Sequence, residues 1–232
     1  MRGKKDPGFC VYLMRIGNGQ EKTNNCNKIE IPNNFIIPFT DEIESLNILF
    51  NVTYPNLRTF YCNPSFMFSR IILTTKNDFV DEINDMLIHR FPDDATVYTT
   101  IDETTEPNDQ CQFDDFFGDF KDKHVFIPKI PLLVASQDEK LPVSFKRIQF
   151  PIILCFSMTI NKAQGQTLDF VGIYLCESVF SHGQLYVALS RAKCSNNVKI
   201  LIRPPTAQDT DGHSAYNVVY DEIIRKALSL YF

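Results

Sequence analysis

Residues 150–202 constrain the fold of this chain most, because apolar and polar runs alternate there at strand and helix lengths. Ile152–Phe156 is an unbroken apolar run, the pattern of a strand buried on both faces. Thr159, Asn161, Lys162, Gln164, Gly165, Gln166 and Thr167 then crowd polar side chains and a glycine into one loop. Val171–Leu175 returns to strand character. Leu185, Ala188 and Leu189 recur at helical spacing within Phe180–Ser190, after Ser181 and Gly183, which suit a helix start. Arg191 follows that helix, and Val198–Ile202 is another apolar strand. Buried strands linked through a helix predict the α/β class.

The string TINKAQGQT followed by HGQLYVALSRA resembles the fifth and sixth motifs of the Pif (petite integration frequency) family of superfamily-one DNA helicases. The likeness is greatest to the plant versions, including those carried by Helitron transposons. The signal is specific because both motifs stand in order; a lone QGQT would mean little. ILTTKNDFVDEIN resembles the fourth motif, although read alone it is an amphipathic strand–helix unit. The resemblance runs with gaps from Tyr12 to the end of the chain. It implies a RecA-like second motor domain with a mainly parallel sheet, carrying a truncated SH3-like β-insertion. The implied activity is ATP-dependent DNA unwinding in repair, recombination, telomere maintenance or transposition, in the nucleus or mitochondrion. ATP and Mg²⁺ are the implied cofactors. Single-stranded or forked DNA and an N-terminal motor domain in cis are the implied partners.

Carried over residue by residue, the resemblance makes Arg191 the arginine finger. Guanidinium suits that task because it stays charged and bonds two phosphate oxygens at once. Read without the family, Arg191 is an arginine at a helix end that satisfies the last carbonyls. Gln164 and Gly165, with Lys76 and Asn77 at the fourth-motif strand end, are implied on the nucleotide side. Thr159, Lys162 and Thr167 are implied contacts to DNA phosphates. The loop standing alone reads as a polar connection with capping residues. Gln184 and Tyr186 either support the finger or are helix surface and core. Ala163 stands where relatives usually carry Ser.

The rest of the chain falls into segments. Residues 1–34 are polar and turn-rich and read as poorly ordered. Residues 35–90 form the first part of the RecA-like domain. There Thr40 reads as the cap of a short helix with Ile43, Leu46, Leu49 and Phe50 on one side. Asn77–Arg90 is a second helix, with Phe79, Ile83, Met86 and Leu87 as its core stripe. Residues 91–120 hold nine acids and no Lys or Arg, the composition of a solvated linker. Relatives carry additional sequence here, so a join is expected near Phe117-Gly118. Residues 121–149 read as a remnant β-subdomain, with strands at Lys123–Pro128, Ile130–Ala135 and Pro142–Arg147 and a turn at Gln137–Lys140. Residues 150–232 complete the domain, closed by an amphipathic tail (Val218, Tyr220, Ile223, Ile224, Leu228) expected to pack on the sheet.

Charge divides unevenly. Residues 1–120 hold 10 Lys and Arg against 19 Asp and Glu, a net −9, whereas residues 121–232 hold 13 against 9, a net +4. The motif-bearing half is the basic one, as phosphate contact requires. The seven cysteines are dispersed without a CxxC pair, which argues against a disulfide framework and a zinc site. Cys155 and Cys176 read as core residues of a protein in a reducing compartment. The four histidines read as structural or surface residues, and no metal-ligating cluster is expected. No apolar run approaches the ~18 residues of a membrane span, so no membrane partner is expected. The sequence contains no GxxxxGK[ST], the loop that cradles ATP phosphates. This chain alone is therefore expected to be inactive in ATP hydrolysis. The alternatives are a non-catalytic single-stranded-DNA-binding fragment and a decayed helicase relic.

Overall fold

The computed structural model describes residues 6–60, 63–91, 101–104, 128–134, 145–150, 152, 155–204 and 212–229. In chain order the elements are α1 (Pro7–Gly17), β1 (Lys28–Glu30), β2 (Ile36–Ile37), α2 (Glu42–Thr53), α3 (Leu57–Phe60) and α4 (Pro64–Phe68). There follow β3 (Arg70–Thr74), α5 (Asn77–Ile88), β4 (Ile101–Thr104), β5 (Ile130–Val134), β6 (Phe145–Gln149) and β7 (Ser157–Thr159). The last are β8 (Phe170–Leu175), α6 (Gln184–Leu189), β9 (Val198–Ile202), β10 (Ser214–Tyr216) and α7 (Asp221–Ser229). Short 3-10 turns stand at Ile160–Ala163 and Ser195–Asn197. The chain divides into two compact units, Met1–Pro92 with Cys155–Phe232, and Asp93–Leu154.

The first unit is built on a five-stranded parallel sheet in the order β2-β9-β8-β3-β7. Alternate residues serve opposite faces. Ile71, Leu73, Val171, Ile173, Val198 and Ile200 join Phe9, Tyr12 and Ile16 of α1 and Leu185, Ala188 and Leu189 of α6. Ile72, Tyr174 and Leu201 join Leu46, Leu49 and Phe50 of α2 and Ile83 and Leu87 of α5 on the other face. With both faces covered, the central strands β3, β8 and β9 are mostly apolar, Lys199 and the terminal Arg70 and Thr74 excepted, which is why the runs look continuous. Gly172 lets α2 lie close to the sheet: a Cβ there would stand 2.5 Å from Thr53 Oγ1 and 3.0 Å from Leu49 Cδ1. The α/β class and the mainly parallel sheet are as expected.

Several local expectations are corrected. Strand β7 starts at Ser157, after the apolar run expected to form it; of that run Ile152 is 62% exposed and Cys155 is exposed rather than core. Pairing begins at Ser157 because buried Asn84 of α5 fixes the strand entry. Its Oδ1 accepts from Phe156 N, Ser157 N (both 3.0 Å) and Ser157 Oγ (3.1 Å). Within the segment expected to be poorly ordered, residues 6–34 are structured: α1 buries Phe9, Tyr12 and Ile16, and β1 pairs antiparallel with β10. The cap of α2 is Asp41, whose Oδ1 accepts from Glu44 N at 2.9 Å, whereas Thr40 Oγ1 donates to the Glu44 carboxylate. Ile43 is 66% exposed and lies off the core stripe. The tail does form α7; Val218 before it packs on the core and Ile224 is half-buried, whereas Tyr220 and Ile223 remain about half exposed.

The second unit contains a three-stranded antiparallel sheet, β4-β6-β5. Ile101 pairs with Ile148, and Leu132 with Arg147. Strand β4 lies inside the acidic stretch expected to be linker; its Ile101 and Thr104 flank the two acids and supply strand character. The join at Phe117-Gly118, the strand at 123–127 and the turn at Gln137–Lys140 lie outside the described residues.

Candidate functional site

The chain leaves β3 for the edge strand β7, then returns to pair β8 on the other side of β3. Connections diverging at one edge of a parallel sheet open a crevice at the carboxyl ends of the strands. Register places Thr74 level with Thr159 on one side and with Tyr174 on the other. The segments that follow these strands therefore emerge side by side, and they carry the predicted residues.

Lys76 occupies the cap position of α5, and Asn77 is the first helical residue. Asn77 is used across the edge, where its Oδ1 accepts from Lys162 Nζ at 3.3 Å. Lys76 Nζ pairs with Glu177 Oε2 at 2.5 Å just beyond β8, both side chains being about half exposed. The hydrogen bond to Glu177 is the main reason that the Lys76 ammonium is held above the ordinary lysine range. Thr159 is half-buried and precedes the 3-10 turn. Within that turn Ile160 and Ala163 are fully buried, which pins the loop to the core. Asn161, Lys162, Gln164, Gly165, Gln166 and Thr167 are exposed. Gly165 has φ +92° and open space where a Cβ would stand, so backbone conformation rather than crowding demands glycine.

Arg191, the implied finger, lies beneath the loop. It is 5% exposed, and its guanidinium faces the loop. Nε donates to Val187 O at 2.9 Å, Nη1 to Gln166 O at 3.0 Å and Ala163 O at 3.3 Å, and Nη2 to Ser190 Oγ at 2.7 Å. A buried guanidinium needs such partners, and these acceptors are within reach. Its backbone carbonyl accepts from Leu168 N at 2.9 Å, so loop and helix end are joined twice. Gln184 is buried and turns back on its own approach loop, its Oε1 accepting from Phe180 N at 3.0 Å. Tyr186 is half-buried against the α1 face.

The edge thus gathers Lys76, Asn77, Thr159, Lys162 and the Gln164–Thr167 loop, with Arg191 beneath that loop. Sequence reasoning missed Glu177, Ser190 and Asn84. Glu177 follows an apolar strand and Ser190 precedes the motif arginine, so position alone could have nominated both. The three bonds to Asn84 come from residues more than 70 positions away, which no local pattern reveals. Among the described residues no group of three or more His, Cys, Asp or Glu could hold a metal ion. None of the described helices is long and apolar enough to cross a membrane.

The ATP-dependent DNA helicase PIF1 of Candida albicans is 45% identical over 67 residues, 29% of this chain and 7% of that protein. Human PIF1 is 46% identical over 65 residues, 28% of this chain and 10% of that protein. RRM3 of Saccharomyces cerevisiae, also an ATP-dependent DNA helicase, is 35% identical over 81 residues, 35% of this chain and 11% of that protein. The chain is homologous to Pif1-family helicases. It spans about a tenth or less of these curated relatives. No protein-family model matches it. The crystal structure of Candida albicans Pif1 superposes on the whole chain with a TM-score of 0.53 at 19% identity, covering 60% of that structure. The Bacteroides Pif1 complex with ADP-AlF3 and ssDNA gives 0.53 at 16% identity, again over the whole chain and 55% of that structure. The mixed α/β fold with its mainly parallel sheet therefore matches the RecA-like domains of Pif1 helicases.

Proposed function

We propose that this chain acts as the second RecA-like motor domain of an ATP-dependent DNA helicase, of the plant or Helitron type. The observation that carries this reading is the convergence of Lys76, Asn77, Lys162 and the 159–167 loop at one carboxyl edge of the sheet. In this reading Thr159, Lys162 and Thr167 grip the phosphates of single-stranded or forked DNA. Lys76, Asn77, Gln164 and Gly165 lie on the nucleotide side. The β-strands within residues 121–149 are what remains of an SH3-like insertion. Repair, recombination, telomere maintenance or transposition, in nucleus or mitochondrion, follow from the family likeness alone.

Bacteroides Pif1 was crystallised with ADP-AlF3 and ssDNA, which supports a nucleotide partner here. The exposed Lys76 ammonium and the open Gly165 loop suit part of a phosphate site. ATP would supply a phosphoanhydride bond whose cleavage drives movement. Neither a cluster of three or more His, Cys, Asp or Glu, among the described residues, nor a GxxxxGK[ST] phosphate loop, in the sequence, is present. We infer that these groups come from an N-terminal motor domain in cis and that these 232 residues alone do not hydrolyse ATP. Phosphate release by the purified chain, with and without oligothymidine, tests this. The expected result is saturable single-strand binding without DNA-stimulated turnover. Stimulated turnover overturns the inactivity, and absent binding overturns the motor-domain reading. The inward guanidinium of Arg191 favours a second reading, a non-catalytic single-strand-binding module that retains the loop.

A further inference from the structure

We propose that Arg191 is a positioning residue for single-strand binding, acting through the shape of the 163–166 loop rather than by touching phosphate. The inference rests on the reading of the 159–167 loop as the DNA grip. One nitrogen, Nη1, donates to the carbonyls of both Ala163 and Gln166, at 3.3 and 3.0 Å. Those carbonyls bracket Gln164 and Gly165, so a single donor group ties together the two ends of the loop tip. Gly165 at φ +92° is the bend that this closure needs. The tie is anchored below. Nε holds Val187 O on α6, and Ser190 Oγ accepts from Nη2 while donating to Val187 O at 3.1 Å. Two backbone bonds complete the frame, Gln166 N to Ala163 O and Leu168 N to Arg191 O.

This arrangement leaves the exposed side chains of Lys162 and Thr167 on either flank of a closed loop of set width. Loss of the tie strands the Gln166 carbonyl, leaves Ala163 O with only its bond from Gln166 N, and lets the flanks drift apart, weakening the grip without removing a charge from the DNA-facing surface. Such a residue has a signature. A side chain that touches phosphate lowers the salt dependence of binding when removed, whereas a positioning residue lowers affinity equally at every salt concentration.

The test is fluorescence anisotropy of the chain with labelled oligothymidine across a potassium chloride series, for native protein, Lys162→Gln, Arg191→Lys and Ser190→Ala. Lys162→Gln should reduce the slope of log K against log salt by about 0.7. Arg191→Lys keeps the charge but not the double tie. It should weaken binding about tenfold with the native slope, the loss expected when hydrogen bonds from a charged group go. Hydrogen exchange at the Gln166 and Leu168 amides should quicken in the same variant. Ser190→Ala loosens the guanidinium without altering a buried charge, and should weaken binding roughly threefold at the native slope; it carries the test if Arg191→Lys does not fold. A reduced slope in Arg191→Lys, or native affinity in folded Ser190→Ala, overturns the proposal while leaving the DNA-grip reading intact. Absence of saturable binding by native protein overturns both. Binding that Lys162→Gln leaves untouched at every salt concentration removes the grip reading, and the proposal with it.

Discussion

The helices near the two ends of the described chain, α1 and α7, are both amphipathic, yet they are used in opposite ways. Phe9, Tyr12 and Ile16 of α1 are buried in the core. In α7 Ile223 is 48% exposed, and Tyr220, which leads into the helix, is 51% exposed. The two differ in how they are fastened. At the start of α1, Asp6 Oδ1 accepts from Phe9 N at 3.0 Å, and its Oδ2 accepts from Ser195 N at 2.9 Å and Ser195 Oγ at 2.5 Å. At the other end Asn217 Nδ2 donates to Ile16 O at 2.9 Å. In α7 the fastening is at the entry, where Tyr220 stacks on His182 at 5.4 Å and its N–H donates to His182 Nδ1 at 2.9 Å. Periodicity announces a helix; distant side chains decide whether its apolar face is seated.

The largest effect should come from the seat of α1. Ile16 is fully buried against the sheet and α6. Ile16→Ala should cost about 2–5 kcal/mol, the range for truncating a core aliphatic, measured by urea denaturation of the full chain. A loss of only a few tenths would mean that α1 detaches readily and that its burial contributes little.

The same contrast shows what was legible in the sequence. Strands β8 and β9 were readable within a residue, because sheet burial on both faces writes itself as an apolar run. The motif loop and Arg191 were readable as residues but not as geometry. Whether a guanidinium faces outward or ties Ala163 to Gln166 depends on acceptors 25 and 28 positions away. Strand β7 was misplaced because apolar Ile152–Phe156 outweighed polar Ser157-Met158-Thr159, whose pairing Asn84 secures from α5. Helix α1 was missed although Asp6-Pro7 is a start signal and Phe9, Tyr12 and Ile16 have helical spacing. The polar turn after it lowered the hydrophobicity of the whole segment.

A smaller effect should come from the fastening rather than the seat. Asp6→Ala removes the cap of α1 and its link to Ser195, and should cost about 1 kcal/mol, the usual value of an N-cap. Hydrogen bonds from the Ser195 side chain and backbone, then from Phe9 N, hold the Asp6 carboxyl below its ordinary value of 3.8. A depressed carboxyl stabilises the fold above its unfolded value and loses that contribution as pH falls through the folded one. Native and Asp6→Ala stabilities should therefore differ at pH 7 and draw together in strong acid. A gap that persists unchanged to the lowest pH would show that the link acts through shape and not through the ionised group.

The smallest effect tests the unseated helix. Ile223 lies in the first turn of α7 and is half exposed, so Ile223→Ser removes little apolar surface from contact with protein. Its stability should stay within about 0.5 kcal/mol of native, as for surface substitutions away from caps and cores. The informative comparison is with Ile16, the same residue type in the other amphipathic helix. If fastening decides seating, the two isoleucines differ severalfold in cost, although both lie on apolar stripes. A loss at Ile223 near that of Ile16→Ala would mean that α7 is seated in solution after all, and that periodicity was the better guide to burial.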